Sequence, residues 1–199
     1  MKRILIAILL ATACQSADTD YKVYIVDETA RLDEEGKKCM DMKGNLLPGK
    51  AELRWVMFDV ETFGTRCIDG EAIEERGYYE SGELLYIEPQ KNGKAEGVKR
   101  FFYESGKLWY ETPFKNELKD GTQKRYYKNG KLAWEVAWKN DILDGEMKVY
   151  RENGTIWATF TYKNGNVISS VCYETNGEKR PFTEAKLENW YDDFEVTCY

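Results

Sequence analysis

Two runs rich in aromatic and β-branched residues, Thr122 to Lys128 and Lys131 to Lys139, flank the dipeptide Asn129-Gly130. Alternate side chains of such runs share a face, so each reads as a strand. Asn and Gly tolerate positive φ, which both central residues of a type I′ turn require, and the whole stretch predicts a β-hairpin. The pattern then recurs. Glu96-Gly97, Phe102-Tyr103, Ser105-Gly106-Lys107-Leu108 and Phe114-Lys115-Asn116 return 24 residues on as Asp120-Gly121, Tyr126-Tyr127, Asn129-Gly130-Lys131-Leu132 and Trp138-Lys139-Asn140. A third copy gives Asp144-Gly145, Tyr150, Asn153-Gly154, Ile156 and Tyr162-Lys163-Asn164, and a partial one precedes at Tyr78-Tyr79, Ser81-Gly82, Leu84 and Lys91-Asn92. After each Lys-Asn a short loop leads into the next unit. This predicts an all-β, elongated antiparallel meander of repeated hairpins, each adding about 10 Å of sheet width.

A two-residue loop at Asn129-Gly130 sets the register: Tyr127 faces Leu132, Arg125 faces Trp134 and Gln123 faces Val136. With their equivalents Phe101, Tyr103, Leu108, Tyr110, Ile156, Ala158 and Phe160, these positions make the more apolar, better buried face. On the opposite face Phe102 stands against Trp109, Tyr126 against Ala133 and Tyr150 against Trp157, with Lys124 opposite Glu135 and Arg100 opposite Glu111. That face reads as an aromatic stripe edged by charge pairs. A slip of one residue would exchange the faces.

The ends are less regular. Lys2 and Arg3 precede the apolar run Ile4 to Leu10 and then Ala11-Thr12-Ala13-Cys14. The run is too short to span a ~30 Å hydrocarbon layer, and the layout is that of a secretory signal over 1–13. Residues 14–70 read as an irregular region holding a degenerate unit (Glu35-Gly36, Cys39, Lys43-Gly44-Asn45-Leu46) interrupted by Pro48-Gly49, and Trp55 to Phe58 reads as a buried strand. The hairpin repeats occupy 71–180, with a last turn at Asn176-Gly177. Residues 181–199 read as a cap, with Thr183 starting a short helix from Glu184 to about Tyr191.

Composition narrows the chemistry. The 199 residues are 42% hydrophobic and 32% charged, a globular balance, and the net charge of −6 argues against a nucleic-acid partner. There is no histidine, which removes Ser-His-Asp and Cys-His machinery and His-ligated zinc. No Gly-x-Ser-x-Gly elbow or Asp-x-Asp-x-Asp-Gly loop is present. The carboxylates Glu71, Glu74, Glu75, Asp192, Asp193 and Glu195 read as solvated charges, since a flat repeated sheet offers no cleft for the paired carboxyls of a glycosidase. No metal or other cofactor is expected, and no enzymatic activity. In an oxidising compartment Cys39, Cys67, Cys172 and Cys198 allow three pairings, of which loop closure favours Cys39–Cys67 with Cys172–Cys198. Four free thiols are the alternative.

Two resemblances sharpen these expectations. Ala13-Cys14 is similar to the lipobox of bacterial lipoproteins, although Ala11 stands where Leu is usual. The resemblance implies lipid modification at Cys14, and Gln15 after it implies outer-membrane sorting in enteric bacteria; an ordinary signal peptide with an incidental Cys14 is the alternative. The Asp/Glu-Gly, paired-aromatic, Asn/Ser-Gly-Lys-Leu and Tyr/Trp-Lys-Asn pattern resembles the variant form of the membrane occupation and recognition nexus (MORN) repeat over roughly residues 70–180. That implies stacked hairpins in a single layer, and family members are often labelled antitoxins. The expected role is a lipid-anchored envelope protein that binds another protein through Phe102, Trp109, Tyr126, Tyr150 and Trp157, touching the membrane only through its anchor. Neutralisation of a toxin is the alternative, and binding or processing of surface glycans a third.

Overall fold

The computed structural model describes residues 21–26, 30–57 and 60–181. The signal segment with Cys14, the cap helix expected at 184–191, and Cys198 lie outside them. The described residues form strands β1 (Lys22–Ile25), β2 (Ala30–Leu32), β3 (Cys39–Asp41), β4 (Lys50–Met57), β5 (Val60–Ile68), β6 (Glu71–Tyr78), β7 (Leu84–Lys91), β8 (Lys94–Ala95) and β9 (Gly97–Phe102). They continue with β10 (Leu108–Lys115), β11 (Leu118–Lys119), β12 (Gly121–Tyr126), β13 (Leu132–Lys139), β14 (Ile142–Tyr150), β15 (Ile156–Lys163), β16 (Asn166–Tyr173) and β17 (Lys179–Pro181). They fall into two compact units: one runs to Gly97 and includes Phe101–Gly106, and the other takes Val98–Arg100 and the residues from Lys107 onward.

In the first unit β4 to β7 form an antiparallel meander in chain order. Strand β1 departs from the expected pattern by lying parallel to β4. The region read as a degenerate unit folds β2 and β3 into a separate hairpin, tied to the main sheet by Cys39 N–H to Gly70 O (2.7 Å) and Ala72 N–H to Lys37 O (2.8 Å). Ala30, Cys39, Leu47, Ala51, Leu53, Cys67 and Ala72 are buried together, with Tyr24, Val26, Leu32 and Trp55 packed against them. A disulfide joins Cys39 to Cys67, whose Cα atoms are 6.4 Å apart.

The second unit pairs β10 and β12 to β17 antiparallel and in chain order. Its turns correct the expected geometry. The Gly130 N–H donates to Tyr127 O (2.8 Å) and the Tyr127 N–H to Lys131 O (2.8 Å), which encloses three residues, Lys128-Asn129-Gly130. With Gly130 at φ +87°, this is a type I turn closed by a left-handed glycine, not a two-residue type I′ loop. The same contacts recur at Arg151–Thr155 and Glu174–Glu178, and in the first unit at Tyr79–Glu83. The two-residue loops instead begin at the Asn of Lys-Asn: Asn140-Asp141 (φ +49° and +63°) and Asn164-Gly165 (φ +49° and +81°) have two successive positive φ values, and Lys139 faces Ile142 and Lys163 faces Asn166 across them.

The third loop residue shifts the pairing beside the turn. Tyr126, not Tyr127, faces Leu132; a bulge at Ala133 then restores Arg125 opposite Trp134 and Gln123 opposite Val136. Likewise Tyr150 faces Ile156, and Trp157 is the extra residue before Val149 meets Ala158. One face buries Tyr110, Trp134, Val136, Met147, Val149, Ala158, Phe160 and Tyr162. Gln123 is tolerated there because it is satisfied at both ends, donating to Thr112 Oγ1 (3.0 Å) and accepting from Trp138 Nε1 (2.8 Å).

Candidate functional site

The opposite face of the second unit presents charge in an ordered row. Across β10, β12, β13 and β14 the facing residues are Glu111, Lys124, Glu135 and Lys148, so the sign alternates at each strand and each neighbouring pair attracts. Lys124 Nζ lies 3.5 Å from Glu111 Oε1. Two tyrosines fasten the acids: the Tyr126 hydroxyl donates to Glu111 Oε1 (2.8 Å) and the Tyr150 hydroxyl to Glu135 Oε1 (2.9 Å). Burial, then the hydrogen bond to Glu111 and the negative charge nearby, push the Tyr126 phenol up to about 12. Tyr150 is raised for the same reasons through Glu135. Lys148 is held above its ordinary range by its hydrogen bond to Glu146, 2.9 Å away. The row is half-buried, hydrogen-bonded and nearly balanced in charge.

The second member of each paired aromatic has another task. The Tyr127 hydroxyl donates to the backbone carbonyl of Tyr150 (2.6 Å), and in the first unit Tyr79 donates to that of Phe102 (2.7 Å). Arg151 takes the position equivalent to Tyr127 and donates to the carbonyl of Tyr173. The first aromatic therefore orders the charged face while the second fastens one repeat to the next. On the other rim the Asp141 N–H donates to Lys119 O (2.9 Å) and the Gly165 N–H to Leu143 O (2.8 Å).

Of the five residues expected to bind, Tyr126 and Tyr150 share this ordered row. Trp157 stands at its bulge, with the Arg151 guanidinium 5.7 Å from the ring centroid. Trp109 packs edge-on to Tyr110 at 4.9 Å, and Phe102 belongs to the first unit. All five are half-buried. The largely exposed apolar side chains described in the second unit lie elsewhere, at Leu118, Ile142, Val167 and Ile168.

Charges in the first unit are more deeply placed. Glu52 is 1% exposed and accepts from Arg54 Nε (2.8 Å), Arg66 Nε (2.8 Å) and the Tyr78 hydroxyl (3.2 Å). Burial alone would raise its carboxyl, but the two guanidiniums outweigh burial and hold it below the ordinary range. Among the acids read as solvated, Glu74 pairs with Arg76 at 2.5 Å, Glu75 accepts the Tyr86 hydroxyl, and Glu71 stands 3.9 Å from Lys38. Asp192, Asp193 and Glu195 lie outside the described residues. Among the described residues no group of three or more His, Cys, Asp or Glu is poised to hold a metal ion.

Sequence reasoning missed the Glu52 cluster, because nothing local marks that glutamate as buried. It also missed Lys148, which adding 24 to Lys124 would have found.

The MORN repeat variant family model matches residues 73–92, 95–116, 119–140 and 143–164. Residues 73–164 are therefore four MORN-variant repeats. The segment 119–140 holds β12, its glycine turn and β13, and ends at the first residue of the type I′ pair; the joints between repeats are the tight turns. No curated protein matches the chain. One solved structure, titled "Crystal structure of GtfA/B complex bound to UDP and GlcNAc", is similar at 9% identity and a TM-score of 0.21, over 61% of this chain and 22% of that one.

Proposed function

We propose that this chain is a non-enzymatic binding protein that engages another protein through the open face of its second unit, carried to the envelope by a lipid on Cys14. The observation that carries the reading is the fastening of Glu111 and Glu135 by Tyr126 and Tyr150. A partner docking there meets side chains already held in one arrangement, so less conformational freedom is lost on binding. Tyrosine suits such a surface, with a broad ring for contact and few rotatable bonds. Alternating Glu and Lys favour a partner of mixed charge over a polyanion such as nucleic acid, which calls for one sign.

The test is crosslinking and affinity capture from the native membrane with the lipidated protein. Tyr126→Ala with Tyr150→Ala should lose the captured partner while strand content is kept. Retention of every partner by the double variant removes this face as the binding surface. Radiolabelled palmitate should enter the wild type and be absent from Cys14→Ser; equal labelling of both refutes the anchor.

A further inference from the structure

We infer that residues 182–199 lie across the apolar face of the second unit and are latched there by a disulfide between Cys172 and Cys198. That face is buried to an extent that one layer of strands does not achieve. Val136 and Met147 are 0% exposed, Phe160 1% and Trp134 2%. Side chains on one face of a sheet cover one another's flanks, but their outer ends stay open until another layer packs on them. The strands of this unit lie side by side in one sheet, and among its described residues no strand forms a second layer.

Cys172 identifies the cover. It belongs to this face, in the row Arg125, Trp134, Val149, Ala158 and Cys172 that the register draws across β12 to β16, and it is disulfide-bonded. Its partner must therefore arrive over the apolar face. Cys39 and Cys67 bond each other, which leaves Cys14 and Cys198. Arg180 of β17 stands opposite Cys172, and the chain from there to Cys198 closes a far smaller loop than the one back to Cys14. A segment that leaves the side of Cys172 at Arg180 and returns to it at Cys198 runs about nine residues out and nine back, up to ~30 Å of extended chain each way. Trp134 stands three strands from β16, about 14 Å, and Tyr110 five strands away, about 24 Å. The segment is long enough to cross the buried face. Phe182, Leu187, Trp190, Tyr191, Phe194 and Val196 give it the apolar surface such a face takes. A cover made by the chain itself directs a partner to the opposite face, with Glu111, Lys124, Glu135 and Lys148.

Digestion of the full chain without reduction should release Cys172 and Cys198 in one disulfide-linked peptide pair. Cys172 recovered as a thiol, or linked to Cys14, overturns the inference. Peroxide and hydroxyl-radical footprinting of the wild type then reads the cover residue by residue. Trp190 should react as slowly as Trp134, and Met147 should resist sulfoxide formation while Met42, 53% exposed, is converted. Trp190 reacting as it does in the denatured chain overturns the inference even with the disulfide in place. Trp190→Ser/Phe194→Ser keeps both cysteines and removes two large rings from the segment. In it Met147 oxidation should quicken about tenfold, with Met42 unchanged and strand circular dichroism kept. Met147 as resistant as in the wild type overturns the inference; where the variant loses its strand signal, the wild-type footprint decides.

Discussion

Replacing Glu52 by Gln keeps the side chain's size and removes its charge from between Arg54 and Arg66. Both arginine Nε atoms lie 2.8 Å from Glu52, and their side chains are 21% and 5% exposed, so neither recovers full hydration when the carboxylate goes. Removing one partner of a buried ion pair typically costs about 3–5 kcal/mol. Arg54 and Arg66 keep further interactions, and Gln still accepts one hydrogen bond, which places the expected loss near the lower figure, about 3 kcal/mol. For a chain of this length that is a fall in Tm of roughly 6–12 °C. The control is Glu146→Gln, which breaks a pair with Lys148 in which the glutamate is 53% exposed and should cost under about 1 kcal/mol. The Glu52 carboxyl is held below its ordinary range in the folded chain. Its contribution is therefore present above the unfolded value of about 4.3 and lost as pH falls through the folded one. Differential scanning calorimetry from pH 7 to pH 3 should show a lower Tm for Glu52→Gln at neutral pH and a flatter acid limb. A melting point within 1 °C or so of wild type, or a fall no larger than that of Glu146→Gln, would refute the cluster as a source of stability.

Glycine substitutions should separate backbone strain from crowding. A Cβ at Gly130 meets nothing within 4 Å, so Gly130→Ala costs only its left-handed backbone, about 1–2 kcal/mol; at Gly145 (φ +125°) the Cβ would stand 2.8 Å from that of Ala137, and urea midpoints should rank Gly145→Ala as the more damaging. With the Tyr126 phenol raised to about 12 by burial and by Glu111, the folded state keeps a proton that the unfolded state releases near 10, so stability falls as pH rises from 10 to 12. Ultraviolet titration should show one late phenol lost in Tyr126→Phe and moved earlier in Glu111→Gln; no change in either variant refutes the contact. Breaking the disulfide that spans 28 residues in Cys39→Ser/Cys67→Ser should cost about 3.5 kcal/mol, with hydrogen exchange quickening at Ala51 and Ala72 and unchanged at Val136 and Met147.

The hairpin period was legible because turns have strict backbone needs: only Gly and Asn comfortably take positive φ, so they mark the reversals between β6 and β17. Which reversal used which turn was not legible. Asn129-Gly130 satisfies a type I′ turn and a type I turn with a left-handed glycine equally well, and the choice rests on whether Lys128 joins the loop or the strand. The deciding signal was elsewhere, in Asn116-Glu117 and Asn140-Asp141, which lack glycine yet take positive φ at both residues. The Ala133 bulge then hid the difference, since it returned Arg125 and Gln123 to the partners a two-residue loop would have given. For the face that carries Glu111, Lys124, Glu135 and Lys148, Lys124 and Glu135 could be paired from register alone. The tasks of Tyr126 and Tyr127 could not, because a tyrosine's acceptor depends on how neighbouring strands stagger.

The reach of Tyr79 to Phe102 and of Tyr127 to Tyr150 bears on how such a chain can change its length. Each hydroxyl finds its acceptor 23 residues on, within the next copy of a 24-residue motif. A tandem duplication of one motif therefore arrives with its donors already facing acceptors, and the older copies keep theirs. Each such event would add two strands, or about 10 Å, to the sheet. Growth by whole motifs gives heredity a ruler: the span of the protein can be altered in fixed steps by copying, while the chemistry of each step is inherited unchanged.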